Sequence, residues 1–141
     1  MIFQFEQDFV ANWRCIPMVV RYRLDTCGMK LKLAHWHALS LHQRQWLVDT
    51  PCETLELQKQ YTLQLQAWVT EQTGQPAGTI AVEPVWLQEE AVPPDLAAVL
   101  TLDQWQGLTP LQRFALLKLS RPGHEHRNLP LALREFGLDR G

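Results

Sequence analysis

Three cysteines, Cys15, Cys27 and Cys52, are the residues of this sequence best suited to metal or redox chemistry. Each lies at a predicted helix end, so the three thiolates could converge and hold a metal ion or a cluster. No two of them lie within four residues of each other, which favours the alternative of three reduced, buried, small hydrophobic residues. Cys52, close to a predicted helix N-terminus, is the best candidate for a lowered thiol pKa.

Two histidine pairs, His35-x-His37 and His124-x-His126, could also suggest a metal site. Residues two apart in a helix point about 200° away from each other, so neither pair can hold one metal from a helix. We interpret these residues as surface histidines. We therefore predict no metal ligand and no cofactor.

A local concentration of positive charge lies within nineteen residues of the N-terminal third. Its members are Arg14, Arg21, Arg23, Lys30 and Lys32. One interpretation is a solvated face, on which Arg23 is exposed. The other is a binding surface for an acidic partner protein or a phosphate-bearing cofactor, because guanidinium groups bind such anions through two parallel hydrogen bonds.

Tryptophan is frequent in this chain, with six residues, and it is favoured both in cores and at the centres of interfaces. Trp86 and Leu87 lie in a proline-rich stretch and are predicted to be exposed. The sequence contains no Gly-x-Ser-x-Gly, no glycine-rich phosphate loop, no His-Glu-x-x-His and no dinucleotide fingerprint. We therefore predict a protein that is not an enzyme.

Apolar residues recur at three- and four-residue spacing through most of the chain, which predicts an all-α fold. Pro17 and Gly28 should bound one helix, and Gly74 should end the longest one. We expect a compact bundle of about six to seven helices, with an irregular proline-rich loop around 75–94 that contains a short extended piece at 79–82. The predicted helices cover residues 5–13, 18–26, 53–73, 95–102, 109–119 and 128–137.

An internal repeat predicts the same helical unit at two places in the chain. The pattern Leu-x-x-Trp-x-x-Leu-(Ser/Thr)-x-x-Gln-Arg-x-x-Leu occurs at residues 33–47 and again at residues 102–116. Ser40 or Thr109 can cap the following helix, and Gln43 or Gln112 can return the bond, which together make a capping box. Each copy therefore predicts a helix, a corner and a capped helix. An old duplication and a shared local solution to one packing problem both explain the pattern.

Composition places the chain among ordinary globular proteins, with 46% hydrophobic and 20% charged residues in 141. We predict one helical domain, 1–141, which at this length can bury about two-thirds of its unfolded surface without a metal or a disulfide. The net charge of −2 argues against nucleic acid as a general partner. An acidic N-terminus and the lack of a long apolar run predict a cytoplasmic protein without a membrane segment.

The N-terminal third resembles the nitrate-reductase-associated protein family, whose members are typically cyanobacterial and encoded beside genes for nitrate reductase and molybdopterin synthesis. The residues that carry the resemblance, over about 5–52, are Arg14, Cys15, Ile16, Pro17, Met18, Arg21, Leu24, Asp25, Cys27, Gly28, Lys30, Leu31, Trp36, Arg44, Pro51 and Cys52. Lys32 departs from the family pattern, where a small polar residue is usual, and this weakens the N-cap of the helix at Leu33. The family pattern brings no catalytic residue with it.

The resemblance implies a non-catalytic accessory or maturation factor for assimilatory nitrate reductase. Our leading hypothesis is a partner-binding surface made by Arg14, Arg21, Lys30, Trp36 and Arg44. Its partner would be nitrate reductase or the machinery that loads the molybdenum cofactor, with the oligomeric state left open. The alternative is that the three cysteines bind a metal or cofactor for electron transfer or for insertion of the molybdenum cofactor. An independent enzyme acting on a small substrate is the third hypothesis.

Overall fold

The computed structural model describes residues 2–138, without the side chains of residues 124 and 125. The chain divides after Glu83 into two compact units. Within the described residues there are eight α-helices, four short 3₁₀ helices and one two-stranded antiparallel sheet. The prediction of an all-α fold is therefore confirmed, with the small sheet as its only β-structure in residues 2–138.

The first unit contains five α-helices and both strands. After a 3₁₀ helix at Gln4–Glu6, its elements are α1 (Gln7–Val10), α2 (Met18–Cys27), β1 (Met29–Lys30), α3 (Leu33–Ala38), α4 (Leu41–Asp49), α5 (Leu55–Thr73) and β2 (Gly78–Thr79). The predicted helix at 5–13 is shorter than expected, because Trp13 takes a positive φ of 64° that an α-helix does not allow. Trp36, Leu47, Tyr61 and Leu65 are fully buried in this unit.

Helix α2 begins and ends where the sequence predicts. Pro17 precedes its first residue, and the first N–H, that of Met18, donates to a carboxylate oxygen of the buried Glu6 at 2.9 Å. Gly28 ends the helix in the left-handed region, at φ 74°. A side chain at Gly28 would meet Val82 Cγ2 at 3.0 Å and the Ile80 carbonyl at 3.1 Å, so the turn into β1 requires glycine.

Helix α5 matches its prediction within two residues at the start and ends at the predicted glycine. Thr54 caps it by accepting from the Leu57 N–H at 3.1 Å, and Gly74 ends it at φ 84°. Tyr61, Leu65 and Val69 form its buried stripe. Tyr61 also donates its hydroxyl to the Leu47 carbonyl at 2.8 Å, which joins α5 to the last turn of α4.

The second unit contains 3₁₀ helices at Val85–Leu87, Pro94–Leu96 and His124–Asn128 and three α-helices. These are α6 (Leu102–Gln106), α7 (Pro110–Ser120) and α8 (Leu129–Glu135). The predicted helix at 95–102 is wrong, because Thr101 caps a new helix there by accepting from the Gln104 N–H at 3.1 Å. The capping-box spacing of Thr101 and Gln104 was the signal for this boundary.

Two further details of the prediction need correction. The extended piece lies at Gly78–Thr79 rather than at 79–82, and it pairs with β1. Trp86 is only 6% exposed, because its ring packs edge-on against Phe114 at 5.1 Å, whereas Leu87 is exposed as predicted. None of the helices described in residues 2–138 combines the length and apolarity that a membrane-spanning helix needs.

Candidate functional site

The internal repeat builds the same local structure twice, once in each unit. We call residues 33–47 the first repeat and residues 102–116 the second repeat. In the first, α3 leads through Leu39 to Ser40, which caps α4; in the second, α6 leads through Leu108 to Thr109, which caps α7. Both caps are complete capping boxes, with Gln43 and Gln112 returning the bond at 2.8 Å and 2.9 Å. The predicted order of helix, corner and capped helix is confirmed.

Each repeat buries its tryptophan completely and satisfies the indole N–H. Trp36 and Trp105 are both 0% exposed. The Trp36 indole donates to the Trp13 carbonyl at 2.9 Å, and the Trp105 indole donates to the Gln88 carbonyl at 2.7 Å. In both units the acceptor belongs to an irregular segment, so the buried tryptophan holds that segment against the repeat.

The arginine that follows the glutamine binds the corner in both repeats. Arg44 Nε donates to the Trp36 carbonyl and Arg113 Nε to the Trp105 carbonyl, each at 3.0 Å. Each guanidinium group also lies over the ring of the tryptophan in its own repeat. The Arg44–Trp36 distance is 5.7 Å and the Arg113–Trp105 distance is 5.6 Å, both measured to the ring centroid. The role of Arg113 was missed from the sequence, although its equivalence to Arg44 in the repeat was the available signal.

The two arginines differ in whether a carboxylate pairs with the guanidinium and in how many of its N–H groups form hydrogen bonds. Arg113 is 3% exposed and forms an ion pair with Glu89 at 2.9 Å, in addition to bonds with the Trp86 and Gln106 carbonyls. Arg44 is half-buried and donates only to backbone carbonyls, those of Trp36, His37 and Trp13. Among the described residues no carboxylate pairs with Arg44.

A count of donors makes the difference explicit. A guanidinium has five N–H groups. Four of those of Arg113 are used, whereas three of those of Arg44 are used. Arg44 therefore keeps two N–H groups available at a partly exposed position.

Another arginine, Arg14, lies beside Arg44, and its side chain is exposed. The Arg14 carbonyl contacts His37 Nε2 at 2.6 Å, and the His37 carbonyl in turn accepts from Arg44 at 2.9 Å. The Arg14 side chain is exposed and its guanidinium makes no hydrogen bond to the residues that the structure describes. Arg14, His37 and Arg44 thus form one corner of the first unit, which we call the arginine corner.

The other residues predicted for a binding surface have different surroundings. Lys30 is exposed on β1 and Arg21 is half-buried on α2. Trp36 is fully buried, so it supports Arg44 from beneath and offers no contact to a partner. Arg23 is not the exposed residue we predicted, because it is half-buried and donates to the Leu47 and Val48 carbonyls at the end of α4.

Of the three cysteines, the structure brings two together. Cys27 Sγ and Cys52 Sγ lie 4.0 Å apart, while Cys15 is half-buried elsewhere in the unit. No group of three or more His, Cys, Asp or Glu residues that could hold a metal occurs among residues whose side chains are described. The described geometry therefore does not assemble the three-cysteine metal site considered from the sequence.

The prediction of a lowered pKa for Cys52 is wrong. A hydrogen bond with Cys27, followed by burial, raises the pKa of Cys52. The same bond lowers the pKa of Cys27 to about 7, against the effect of burial. Cys52 lies two residues before Thr54, the cap of α5, and is only 6% exposed.

Comparison with known proteins connects this architecture to one family. A family model described as conserved nitrate reductase-associated protein matches residues 2–136, which include both units and both repeats. The chain belongs to this family. No curated protein and no solved structure gives a significant match to it.

Membership in the nitrate reductase-associated family extends the resemblance seen in the N-terminal third. The match continues past Glu83, so the second repeat, with the ion pair of Arg113 and Glu89, also lies within the matched region. The family description associates its members with nitrate reductase. In this chain the first repeat positions His37 and Arg44, and the contact of His37 with the Arg14 carbonyl adds Arg14 to the arginine corner.

Proposed function

We propose that this protein is a non-catalytic accessory factor for assimilatory nitrate reductase that acts in the cytoplasm by binding another protein. Its partner is nitrate reductase or the machinery that loads the molybdenum cofactor of that enzyme. The family match supports the connection with nitrate reductase. The open arginine corner supports a role in binding.

The single observation that carries the binding role is the difference between Arg44 and Arg113. The same backbone arrangement holds both side chains. In the second repeat Arg113 forms an ion pair with the carboxylate of Glu89, whereas no carboxylate of the described residues pairs with Arg44 in the first. A carboxylate supplied by a partner can take the corresponding place at Arg44. Two free N–H groups of a guanidinium suit a carboxylate well, because both oxygens can accept.

The neighbouring charges define the kind of surface that would fit. Arg14 is exposed at the arginine corner, and Lys30 is exposed elsewhere in the same unit. Charges of one sign on a surface steer a partner of the opposite sign and fix its orientation. We therefore infer that the partner presents at least one acidic side chain to Arg44 and a second one to Arg14, with Arg21 and Lys30 as candidates for a wider contact.

Binding of the purified protein to purified nitrate reductase, and separately to a purified molybdenum-cofactor loading factor, tests this function. The variant Arg14→Glu reverses an exposed charge and leaves the hydrogen bonds of Arg44 in place. We expect it to weaken binding about tenfold or more at low salt, which corresponds to about 1.4 kcal/mol. The difference from the unsubstituted protein should shrink as salt is raised, because exposed charges are screened.

Arg121→Glu is the matched control, since Arg121 is an exposed arginine of the second unit and the charge change is the same. It should bind like the unsubstituted protein. Circular dichroism melts of both variants show whether each is folded. Equal binding by folded Arg14→Glu and Arg121→Glu variants removes the arginine corner from the interface, and failure of the unsubstituted protein to bind either partner overturns the proposed function.

A further inference from the structure

Two cysteine thiols of the first unit lie close together, one at the end of α2 and one shortly before α5. Cys27 is the last residue of α2, and Cys52 lies in the connection between α4 and α5. Their sulfur atoms are 4.0 Å apart. A disulfide needs a separation of about 2.05 Å, so the sulfurs must approach by about 2 Å. Residues at the ends of elements can make that approach by side-chain rotation and a small shift of the connection.

The two thiols of this pair differ in access to solvent. Cys52 is 6% exposed, whereas Cys27 is half-buried and lines a groove. The Cys27 thiol also contacts the Gln58 carbonyl at 3.8 Å, which places it against the first turns of α5. One accessible and one protected thiol is the arrangement in which the first attacks a substrate and the second resolves the product.

The groove beside Cys27 has a volume of about 440 Å³. Its walls come from the accessible thiol and one face of α5, and the residues are Cys27, Leu55, Gln58, Lys59, Thr62 and Leu63. Leu55 and Leu63 are 77% and 71% exposed. The groove therefore offers apolar contact and one cationic side chain, Lys59, next to a nucleophilic sulfur.

We propose that Cys27 and Cys52 form a thiol–disulfide exchange site for an external disulfide, in which Cys27 attacks and Cys52 resolves. This site lies apart from the arginine corner and does not depend on binding to nitrate reductase. The hydrogen bond from Cys52 lowers the pKa of Cys27 to about 7, which favours the nucleophilic thiolate of Cys27 near neutral pH. Other ionisable groups near the pair are Tyr22, Arg23, Glu53, Lys59 and Tyr61.

The exchange takes place in two steps that balance. The Cys27 thiolate attacks one sulfur of the external disulfide, whose S–S bond breaks, and the released thiolate takes a proton from water. The Cys52 thiol then loses its proton and attacks Cys27 Sγ, which expels the second thiolate, and that thiolate takes up a proton. Cys27 and Cys52 are oxidised by two electrons to a disulfide, and the external disulfide is reduced to two thiols.

Incubation of the purified reduced protein with glutathione disulfide, followed by blocking of free thiols and peptide mass mapping, tests the site. In the unsubstituted protein we expect a Cys27–Cys52 disulfide and a free Cys15. The variant Cys52→Ser should instead accumulate a glutathione mixed disulfide on Cys27, because no resolving thiol remains. Cys27→Ser should leave Cys52 free under native conditions, and Cys15→Ser should behave like the unsubstituted protein.

A second arm uses a disulfide-bridged peptide with leucines beside the bridge. If the groove receives a protein disulfide, the peptide reacts faster than glutathione disulfide, and Leu55→Ser with Leu63→Ser removes that advantage. If the natural substrate is small, the two disulfides react alike and the leucine substitutions change neither rate. The proposed exchange is overturned when folded protein keeps Cys27 and Cys52 reduced with both disulfides, or when Cys15 is the thiol that reacts.

The pH dependence of alkylation provides an independent measurement. The rate of reaction of Cys27 with iodoacetamide should rise with a midpoint near pH 7, and Cys52→Ala should move that midpoint upward by removing the S–H donor. At pH 7 a thiol of pKa about 7 has about 50 times more thiolate than one of pKa about 9, but each thiolate is about tenfold less nucleophilic. Cys27 should therefore react about fivefold faster than an ordinary cysteine peptide.

Discussion

The first and second repeats place the same arginine in two different electrostatic states. Arg44 and Arg113 each bind the carbonyl of a buried tryptophan and lie over its ring. Glu89 forms an ion pair with Arg113 at 2.9 Å, and no carboxylate in the described residues forms one with Arg44. The same local arrangement therefore holds one arginine whose charge is paired by a neighbouring carboxylate and one whose charge is not paired by any carboxylate in the described residues.

The shared part of the two repeats has a structural purpose. In each, the arginine donates to two carbonyls at the end of a short helix. The first of these, that of the tryptophan, also accepts the N–H of the leucine three residues later. The tryptophan fills the space under the corner and ties down an irregular segment through its indole N–H. Because these contacts are the same, changes to them should cost similar amounts in both repeats, whereas changes to the arginine should not.

The largest expected effect comes from removing either tryptophan. Trp36→Ala and Trp105→Ala each delete a fully buried indole, and each should lower the free energy of unfolding of its own unit by about 3–5 kcal/mol. Urea unfolding followed by circular dichroism measures both. Hydrogen exchange assigns each loss to a unit. A loss below about 1 kcal/mol in only one of them would show that the two corners are not equivalent.

Replacing the arginines should separate the repeats. Arg113→Ala removes the buried hydrogen bonds to the Trp105 and Trp86 carbonyls, and we expect a loss of about 3 kcal/mol. Arg44→Ala should cost about 1–2 kcal/mol, because its bonds to the Trp36 and Trp13 carbonyls are only partly buried and its bond to the His37 carbonyl is exposed, so water can replace them. Urea titrations of the two variants give the comparison. Equal losses would contradict the assignment of Arg44 as the open member of the pair.

Much of this comparison could be predicted from the sequence, because the repeat and its capping boxes depend on local spacing. Ser40 with Gln43 and Thr109 with Gln112 behave as predicted, and so do the limits of α2 and α5 at Gly28 and Gly74. These features involve residues at most four positions apart. Local chemistry is enough to predict them.

The features that were missed depend on residues far apart in the chain. The Glu89 partner of Arg113 lies 24 positions away, and the two α4 carbonyls that bind Arg23 lie 24 and 25 positions away. Trp86 was predicted to be exposed because its segment is irregular, but its cover, Phe114, comes from a helix much further along. Cys27 and Cys52 meet across 25 positions. Periodicity does not specify which faces of distant elements pack together.

A smaller effect should follow from giving both repeats the same N-cap. Lys32 precedes α3 in the same backbone conformation that Thr101 has before α6, but an ammonium group cannot accept a hydrogen bond. Lys32→Ser should therefore stabilise the first unit by about 1 kcal/mol, and Thr101→Ala should destabilise the second by about the same amount. Thermal melts at fixed pH measure both changes. A destabilising Lys32→Ser would mean that the lysine side chain stabilises α3 in another way.

The smallest effect is expected from removing the negative charge of Glu89, the carboxylate that pairs with Arg113 and has no counterpart at Arg44 among the described residues. Glu89 is 62% exposed, so water screens its attraction to Arg113 and solvates it when the pair is broken. Glu89→Gln should therefore lower the free energy of unfolding by about 0.5 kcal/mol, measured by urea titration at two salt concentrations. Because glutamine can still accept the bond from Arg113, the corner should keep its shape. A loss of several kcal/mol would mean that Arg113 needs a full counter-charge, and then Arg44, which has none among the described residues, would need one from a partner to the same degree.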